Sequence, residues 1–195
     1  MQNKHILMTL AGMLLLLLTA CTGQSSGSDQ LDTHTPQIFA RAQQPEDTRS
    51  INIAAIQDDR DAEIDPASIR LLGRRGEESF HAARTDNRAL CLIIAIEIGD
   101  RQPTSARSCT GPAQFAQNGK TVSLETGQHD VTALFFPDGY TERIRATFPD
   151  AFVRDNLLVF EDDEAVADAI ATHGEEVVLA GDGADTFAIP LAALK

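Results

Sequence analysis

Two cysteines, Cys91 and Cys109, are the residues whose spacing predicts a definite covalent chemistry. A β-branched apolar run typical of a strand follows Cys91, and it ends in the turn signal Gly99-Asp100-Arg101. Each cysteine lies nine residues from Asp100, so a hairpin centred there would place the two side chains opposite each other. In an exported protein such a pair is predicted to form a structural disulfide. A redox pair, which usually has the form Cys-x-x-Cys at a helix start, and a metal site are less favoured alternatives.

Acidic side chains dominate residues 161 to 185, which contain nine Asp and Glu residues and no Lys or Arg. Calcium prefers oxygen ligands, so this segment offers candidate metal ligands. The Asp-x-Asp-x-Asp-Gly loop that arranges such ligands is absent. We therefore favour a solvated acidic face with acids at a helix start, and we expect no bound metal or cofactor. The candidate ligands, kept as an alternative, are Asp162, Asp163 and Glu164, with Asp182 and Asp185 as further ones.

Histidines are the side chains that could supply a general base in a hydrolase site. His81 falls in a predicted strand, His129 in a loop, and His173 at the end of a predicted helix, where a cation is favoured. His34 lies at the start of the domain, and no pair is spaced as His-x-x-x-His for zinc. The sequence assigns no catalytic residue, and an enzyme stays the alternative hypothesis.

The N-terminal segment has the features of an export signal. Lys4 precedes an apolar stretch, residues 6 to 18, which is followed by Thr19-Ala20-Cys21. About 13 residues are too few to cross a bilayer but suit the core of a signal peptide. The small residues before Cys21 resemble the lipobox of bacterial lipoproteins. This resemblance implies cleavage before Cys21 and acyl chains such as palmitate on that residue, with a plain secretory signal as the alternative.

The expected organisation follows from this signal. Residues 1–20 form the signal peptide, residues 21–33 the lipidated cysteine and a flexible Gly/Ser linker, and residues 34–195 one extracytoplasmic domain held at the cell membrane by its lipid. The net charge is −13; removing residues 1–20 leaves 15 Lys and Arg against 29 Asp and Glu, a net charge of −14. Such a charge argues against nucleic acid as a partner and against contact with anionic headgroups. It weakly favours a basic envelope protein.

Short apolar runs separated by turn signals predict a β-rich domain, mainly antiparallel sheet, sandwich-like or α+β-like, with a few short helices. The run from Tyr140 to Phe148 alternates and is predicted as a strand. Asp65 and Pro66 are a helix start, with Gly73 as its predicted end. Further strands are predicted at residues 79–83, 90–98, 121–124, 131–136 and 152–160, a helix at 162–173, and a hairpin at 177–191.

Several short motifs occur in one order along residues 39–160, and this order resembles that of uncharacterised envelope-exposed proteins of actinobacteria. The resemblance implies a helical start, paired cysteines, and a Pro-Asp-Gly turn followed by a strand, with Tyr140 where Val is usual. It implies no activity and identifies no functional residue. The motifs are Phe39-Ala40-Arg41-Ala42-Gln43, Ser68-Ile69-Arg70-Leu71-Leu72-Gly73, Leu90-Cys91-Leu92, Ser108-Cys109, Phe115, Phe136-Pro137-Asp138-Gly139-Tyr140 and Asp155-Asn156.

These observations favour a non-catalytic binding or interaction module of the cell envelope. The alternative is an envelope enzyme, hydrolase-like, whose site is assembled by the fold. A pocket in which a histidine and a carboxylate converge would favour the enzyme, and a surface without such a pair would favour the binding module.

Overall fold

A computed structural model describes residues 35–57, 62–99, 103–127, 129–182 and 185–194. The predicted signal peptide, Cys21, the linker and His34 lie outside these residues. The described chain is β-rich with a few short helices, which confirms the predicted fold class. None of these helices is long and apolar enough to cross a membrane.

The strands are β1 (Arg70–Arg75), β2 (Glu78–Arg84), β3 (Leu90–Ile96), β4 (Thr104–Thr110), β5 (Lys120–Glu125), β6 (Asp130–Phe135), β7 (Phe152–Arg154), β8 (Leu157–Phe160), β9 (Val177–Ala180) and β10 (Thr186–Ile189). The α-helices are α1 (Ile53–Ile56), α2 (Pro112–Asn118), α3 (Thr141–Thr147) and α4 (Asp163–His173). Short 3₁₀ helices span Gln37–Ala40, Pro45–Asp47, Pro66–Ser68 and Leu191–Leu194.

The first sheet is an antiparallel meander with the strand order β1-β2-β3-β4. Its central strand β3 is buried along its whole length, as expected for a continuous apolar run. Cys91 on β3 lies directly opposite Cys109 on β4, the register predicted from their spacing around Asp100. The arm that carries Pro103 ends in β4, an edge strand of this sheet, which is where proline is tolerated.

The second sheet has the order β5-β6-β8-β7 and packs face to face with the first. Alternate residues of both sheets form the shared core, for example Phe80 and Leu92 from the first and Ala133 and Phe135 from the second. Phe115 on α2 lies against Phe135, with ring centroids 4.7 Å apart. The arrangement is a β-sandwich, and α2 contributes Phe115 to its core.

Helices α3 and α4 and the hairpin β9–β10 cover the other face of the second sheet. Phe136 points into this layer while its neighbour Phe135 points into the sandwich, and both are fully buried. The adjacent phenylalanines are therefore core on two sides of one strand, as expected. The outer face of the first sheet is covered in turn by Ile56, Ile64 and Ile69.

The prediction of a strand from Tyr140 to Phe148 is wrong, because residues 141 to 147 form α3. Tyr140, Ile144 and Phe148 are buried, whereas Glu142 and Ala146 are exposed. Positions four apart lie on one face of a strand and also on one face of a helix, so these three residues fit both periods. The layer formed by α4 and the last hairpin packs against the apolar stripe of a helix, which is narrower than the alternating apolar face of a strand.

Two further predicted elements differ from the structure. Residues 152–160 form the hairpin β7–β8 rather than one strand, because Asp155 adopts a left-handed backbone, with a φ of 47°, and turns the chain. The helix predicted to end at Gly73 stops at Ser68, and β1 follows because Arg70 and its neighbours pair with β2. The start of that helix is as predicted, with the Asp65 carboxylate accepting from the N–H of Ala67.

Candidate functional site

The predicted disulfide between Cys91 and Cys109 is present. It joins central strand β3 to edge strand β4, and Cys91 has no exposed surface. The bridge lies inside a sheet, with Cys91 buried and Cys109 half-buried, and it pins the edge strand to the central one. Its role is structural.

The acidic candidate ligands are spread out rather than gathered. Asp162 is the N-cap of α4, and its carboxylate accepts from the N–H of Ala165 at 2.8 Å. Asp163 and Glu164 follow it in the first turn, and both are exposed. Asp182 is paired with Arg143 at 2.7 Å. Within the described ranges no group of three or more His, Cys, Asp or Glu residues is placed to hold a metal.

The described histidines occupy three different settings. His81 is fully buried, and its Nδ1 lies 3.0 Å from the backbone oxygen of Asp47; burial lowers its pKa to about 4. His129 contacts Glu78 at 3.4 Å and Glu77 at 3.5 Å. His173 makes an edge contact with Phe148. In the described part of the chain no hydroxyl is hydrogen-bonded to any of these rings, so none is placed to activate a serine or threonine.

A groove of about 650 Å³ lies where the edge strands β1 and β7 of the two sheets approach the N-terminal segment. We call it the arginine groove, because Arg41, Arg74 and Arg154 stand on its walls. Its volume is that of a ligand site. Its lining is completed by Gln37, Ile38, Glu46, Leu71, Leu72, Gly73, Asp138, Gly139, Thr141, Asp155 and Asn156.

Asp47 anchors one wall of the groove from behind. Its fully buried carboxylate accepts two N–H bonds from Arg41, at 2.8 and 2.6 Å, and backbone bonds from Gln44 and Leu71, each at 2.6 Å. Burial alone would raise the pKa of Asp47, but these bonds outweigh it and lower the pKa to about 2. The ion pair therefore fastens the N-terminal segment to the edge of β1.

Asp138 of the Pro-Asp-Gly turn anchors the opposite wall. One carboxylate oxygen accepts from the backbone N–H of Gln37 at 2.8 Å, and the other accepts from the side-chain amide of Asn156 at 2.8 Å. The same amide donates to the backbone oxygen of Phe136 at 3.0 Å. One aspartate thus holds together the N-terminal segment, the turn after β6 and the β7–β8 turn.

Arg74 and Arg154 have unused donors that face the groove. The nearest carboxylate oxygens, on Glu97 and Asp155, are each 3.9 Å away, which is beyond hydrogen-bond distance. The stem of Arg154 lies beside Gly73 of β1, where a Cβ would be 3.6 Å from its Cδ, an ordinary van der Waals distance. A guanidinium with free N–H groups is suited to bind a carboxylate in bidentate fashion.

Segments far apart in the sequence meet at this groove. It is lined by parts of the motifs around Arg41, Leu71 to Gly73, Asp138-Gly139 and Asp155-Asn156, on which the family resemblance is based. The motifs are recognisable in the sequence, but their convergence was not predicted. Asp47, Arg74 and Arg154 were missed, because they lie in segments that look like ordinary polar links and strand surface.

Further cavities lie outside the groove, and two of them are formed by described residues. One, of about 350 Å³, adjoins the groove across Asp138 and Gly139 and includes the side chain of Tyr140. The second, of about 570 Å³, lies between α3 and α4 and contains Phe148, Asp168 and His173. His173 forms no hydrogen bond with a carboxylate there, so this cavity lacks the coupled pair that would favour an enzyme.

Comparisons of the chain with protein-family models, with curated proteins and with solved structures find no match. The function is therefore argued from the geometry of the site.

Proposed function

We propose that this chain is a lipid-anchored binding module of the cell envelope, and that the arginine groove binds an acidic segment of a partner protein. The observation that carries the proposal is the pair of guanidiniums, on Arg74 and Arg154, whose donors are unused on the walls of a preformed groove. Neither has the short ion pair that would satisfy it.

The chemistry of the groove suits a polypeptide. Arginine is enriched at protein interfaces, where its planar group forms both apolar and bidentate contacts. The groove combines arginines and exposed carboxylates with the apolar side chains of Ile38 and Leu72. Both β1 and β7 are edge strands, so an extended segment can lie along them.

The proposed location is based on the N-terminal sequence. Cys21, preceded by Leu18-Thr19-Ala20, supports lipidation, and an acyl anchor with a Gly/Ser linker would hold the acidic domain away from the headgroups. A Cys21→Ala variant of the full chain is expected to lose its acyl chains and leave the membrane fraction. Unchanged membrane fractionation and an unchanged mass of the mature N-terminus would contradict the anchor.

The partner can be captured at the groove itself. A photo-reactive benzoyl-phenylalanine in place of Gln37, whose side chain is exposed on the groove wall, is expected to yield a discrete adduct in cells. The same residue in place of Glu125, exposed on β5, is the matched control and should yield none. Mass spectrometry of the adduct identifies the partner and the cross-linked segment.

Charge reversal then tests the arginines. Arg74→Glu with Arg154→Glu should remove the adduct, because like charges would repel an acidic segment, while Arg88→Glu on the exposed turn before β3 should not. The same adduct in all variants, or equal adducts from Gln37 and Glu125, would refute the proposed interface. If no adduct forms, the alternative hypothesis of an envelope hydrolase is favoured. The described residues do not show a hydrolase site.

A further inference from the structure

We infer that the cavity beside Tyr140 is a second, separate binding site, and that it accepts the ammonium group of a primary alkylamine. We call it the tyrosine chamber; Asp138, Tyr140, Gly181, Asp182 and Asp185 are among the residues that line it. The inference does not depend on the arginine groove, with which the chamber shares only Asp138 and Gly139.

The nearly buried side chain of Tyr140, whose hydroxyl lies at the cavity, is the first observation. The residue is only 7% exposed, and its ring is held against Phe187 with centroids 5.0 Å apart. Among the described residues the Tyr140 hydroxyl has no hydrogen-bond partner, and it lies on the wall of the chamber, where a ligand can reach it.

The exposed side chain of Asp185 borders the same cavity. Asp185 forms no ion pair or side-chain hydrogen bond with any described residue, whereas Asp182 is held by Arg143 at 2.7 Å. A Cβ placed on Gly181 would lie 2.7 Å from the Tyr140 hydroxyl and 3.3 Å from the Cβ of Asp185, so both side chains border the same small space. Burial, and then the charge of Asp185, raise the pKa of Tyr140, as expected for a phenol that faces a carboxylate.

These groups define the complementary ligand. A neutral hydroxyl and a free carboxylate present oxygen acceptors, so the ligand needs several N–H donors and a positive charge, and an ammonium has both. The described residues provide no three-ligand set for a metal. With a volume of about 350 Å³ the chamber can hold an alkyl chain and its charged end. The amine could come from a free amine or from a lysine side chain of a protein.

The composition of the chain provides a direct readout. Tyr140 is the single tyrosine and there is no tryptophan, so the intrinsic fluorescence of the full-length protein reports this chamber alone. Titration with butylammonium and with N-acetyl-lysine amide is expected to change this fluorescence saturably. N-acetyl-norleucine amide, which has a similar chain without charge, should not. The tighter of the two cationic probes shows whether a free amine or a lysine side chain is preferred.

Two variants test the assignment. Asp185→Asn should weaken binding about tenfold or more, since it replaces one charged hydrogen bond by a neutral one. Gly181→Ala should weaken it without changing any charge, because the added carbon meets the Tyr140 hydroxyl. Glu176→Gln, an exposed neighbour of the same hairpin, is the matched control and should bind like the wild type.

The outcomes separate this site from the proposed function. Binding that survives Arg74→Glu and Arg154→Glu but not Asp185→Asn supports the chamber, whatever happens to the adduct at the groove. No saturable change with either amine up to about 10 mM, ten times a weak Kd of 1 mM, would overturn the inference. So would equal binding of the norleucine probe, or unchanged affinity in a folded Asp185→Asn variant.

Discussion

The buried ion pair of Asp47 with Arg41 leads to a pH-dependent prediction about folding. Replacing Asp47 by asparagine keeps the size of the side chain but removes its charge and one of its two carboxylate oxygens. The wild-type carboxylate accepts four hydrogen bonds and has no exposed surface. Breaking such a pair costs about 3 kcal/mol at neutral pH, because the remaining donors lose their partner. The Asp47→Asn variant should be less stable by about that amount.

The pKa of Asp47 determines how this difference varies with pH. A carboxyl group whose pKa falls from 3.8 in the unfolded chain to about 2 in the folded protein contributes about 2 kcal/mol of stability. This contribution is fully present above about pH 5 and is lost as the pH falls towards about 2, because the unfolded state binds its proton first. The amide of the variant cannot titrate. The difference in unfolding free energy between wild type and variant should therefore narrow by about 2 kcal/mol over that interval.

Urea unfolding of the full-length chain, followed by Tyr140 fluorescence at a series of pH values, measures this narrowing. Asp168→Asn, at an exposed position of α4, is the matched control and should track the wild type. A constant difference in unfolding free energy between wild type and variant from about pH 5 to about pH 2 would refute the argument, because the carboxylate would then not be stabilised by the fold.

Three further outcomes are expected in the same assay. Replacing Cys91 and Cys109 by Ala should cost about 3 kcal/mol, since the bridge closes a loop with a sequence separation of 18. Ile144→Ala should cost about 2–4 kcal/mol and the exposed Ala146→Ser less than about 0.5, because α3 buries the first and not the second. The wild type should lose up to about 3 kcal/mol of stability as the pH falls from about 6.5 to about 4, and His81→Gln should not show this loss. The folded protein excludes the proton of the buried imidazole, while the unfolded chain accepts it.

Each of these has a clear contrary result. Unchanged stability of the cysteine variant under non-reducing conditions would mean that the bridge does not constrain the unfolded chain. Equal costs at positions 144 and 146 would match a strand rather than the observed helix. An unaltered pH profile in His81→Gln would mean that the ring is reached by water.

Local signals were sufficient where one element determines its own boundaries. The turn signal Gly99-Asp100-Arg101 and the apolar run of β3 predicted the opposed cysteines, because hairpin register follows from counting residues on the two arms. Asp162 and Gly174 likewise predicted the helix α4, since the cap side chain and the glycine satisfy groups within the helix itself. Both predictions are confirmed.

Local signals failed where two periods coincide. Tyr140, Ile144 and Phe148 fit a strand and a helix equally well, and the layer that covers them decided between the two. Arg70 and Leu71 lie in a segment that the sequence predicts as a helix. They form the edge strand β1 instead, because their backbone pairs with β2. The intrinsic preference of these residues for helix or strand is small compared with the effect of pairing with a neighbouring strand.

The contrast between what local sequence signals predict and what tertiary structure decides is stronger at the candidate sites. Composition and spacing by themselves determined a β-rich, disulfide-stapled, acidic chain, and they predict an anchored envelope protein, because these properties depend on residue types and short intervals. Only the tertiary structure brought Arg74 to Arg154, buried Asp47 beneath Arg41, and placed Asp185 beside the hydroxyl of Tyr140. A site depends on distances between segments far apart in the chain, and those distances are set by how the two sheets and their covering helices pack.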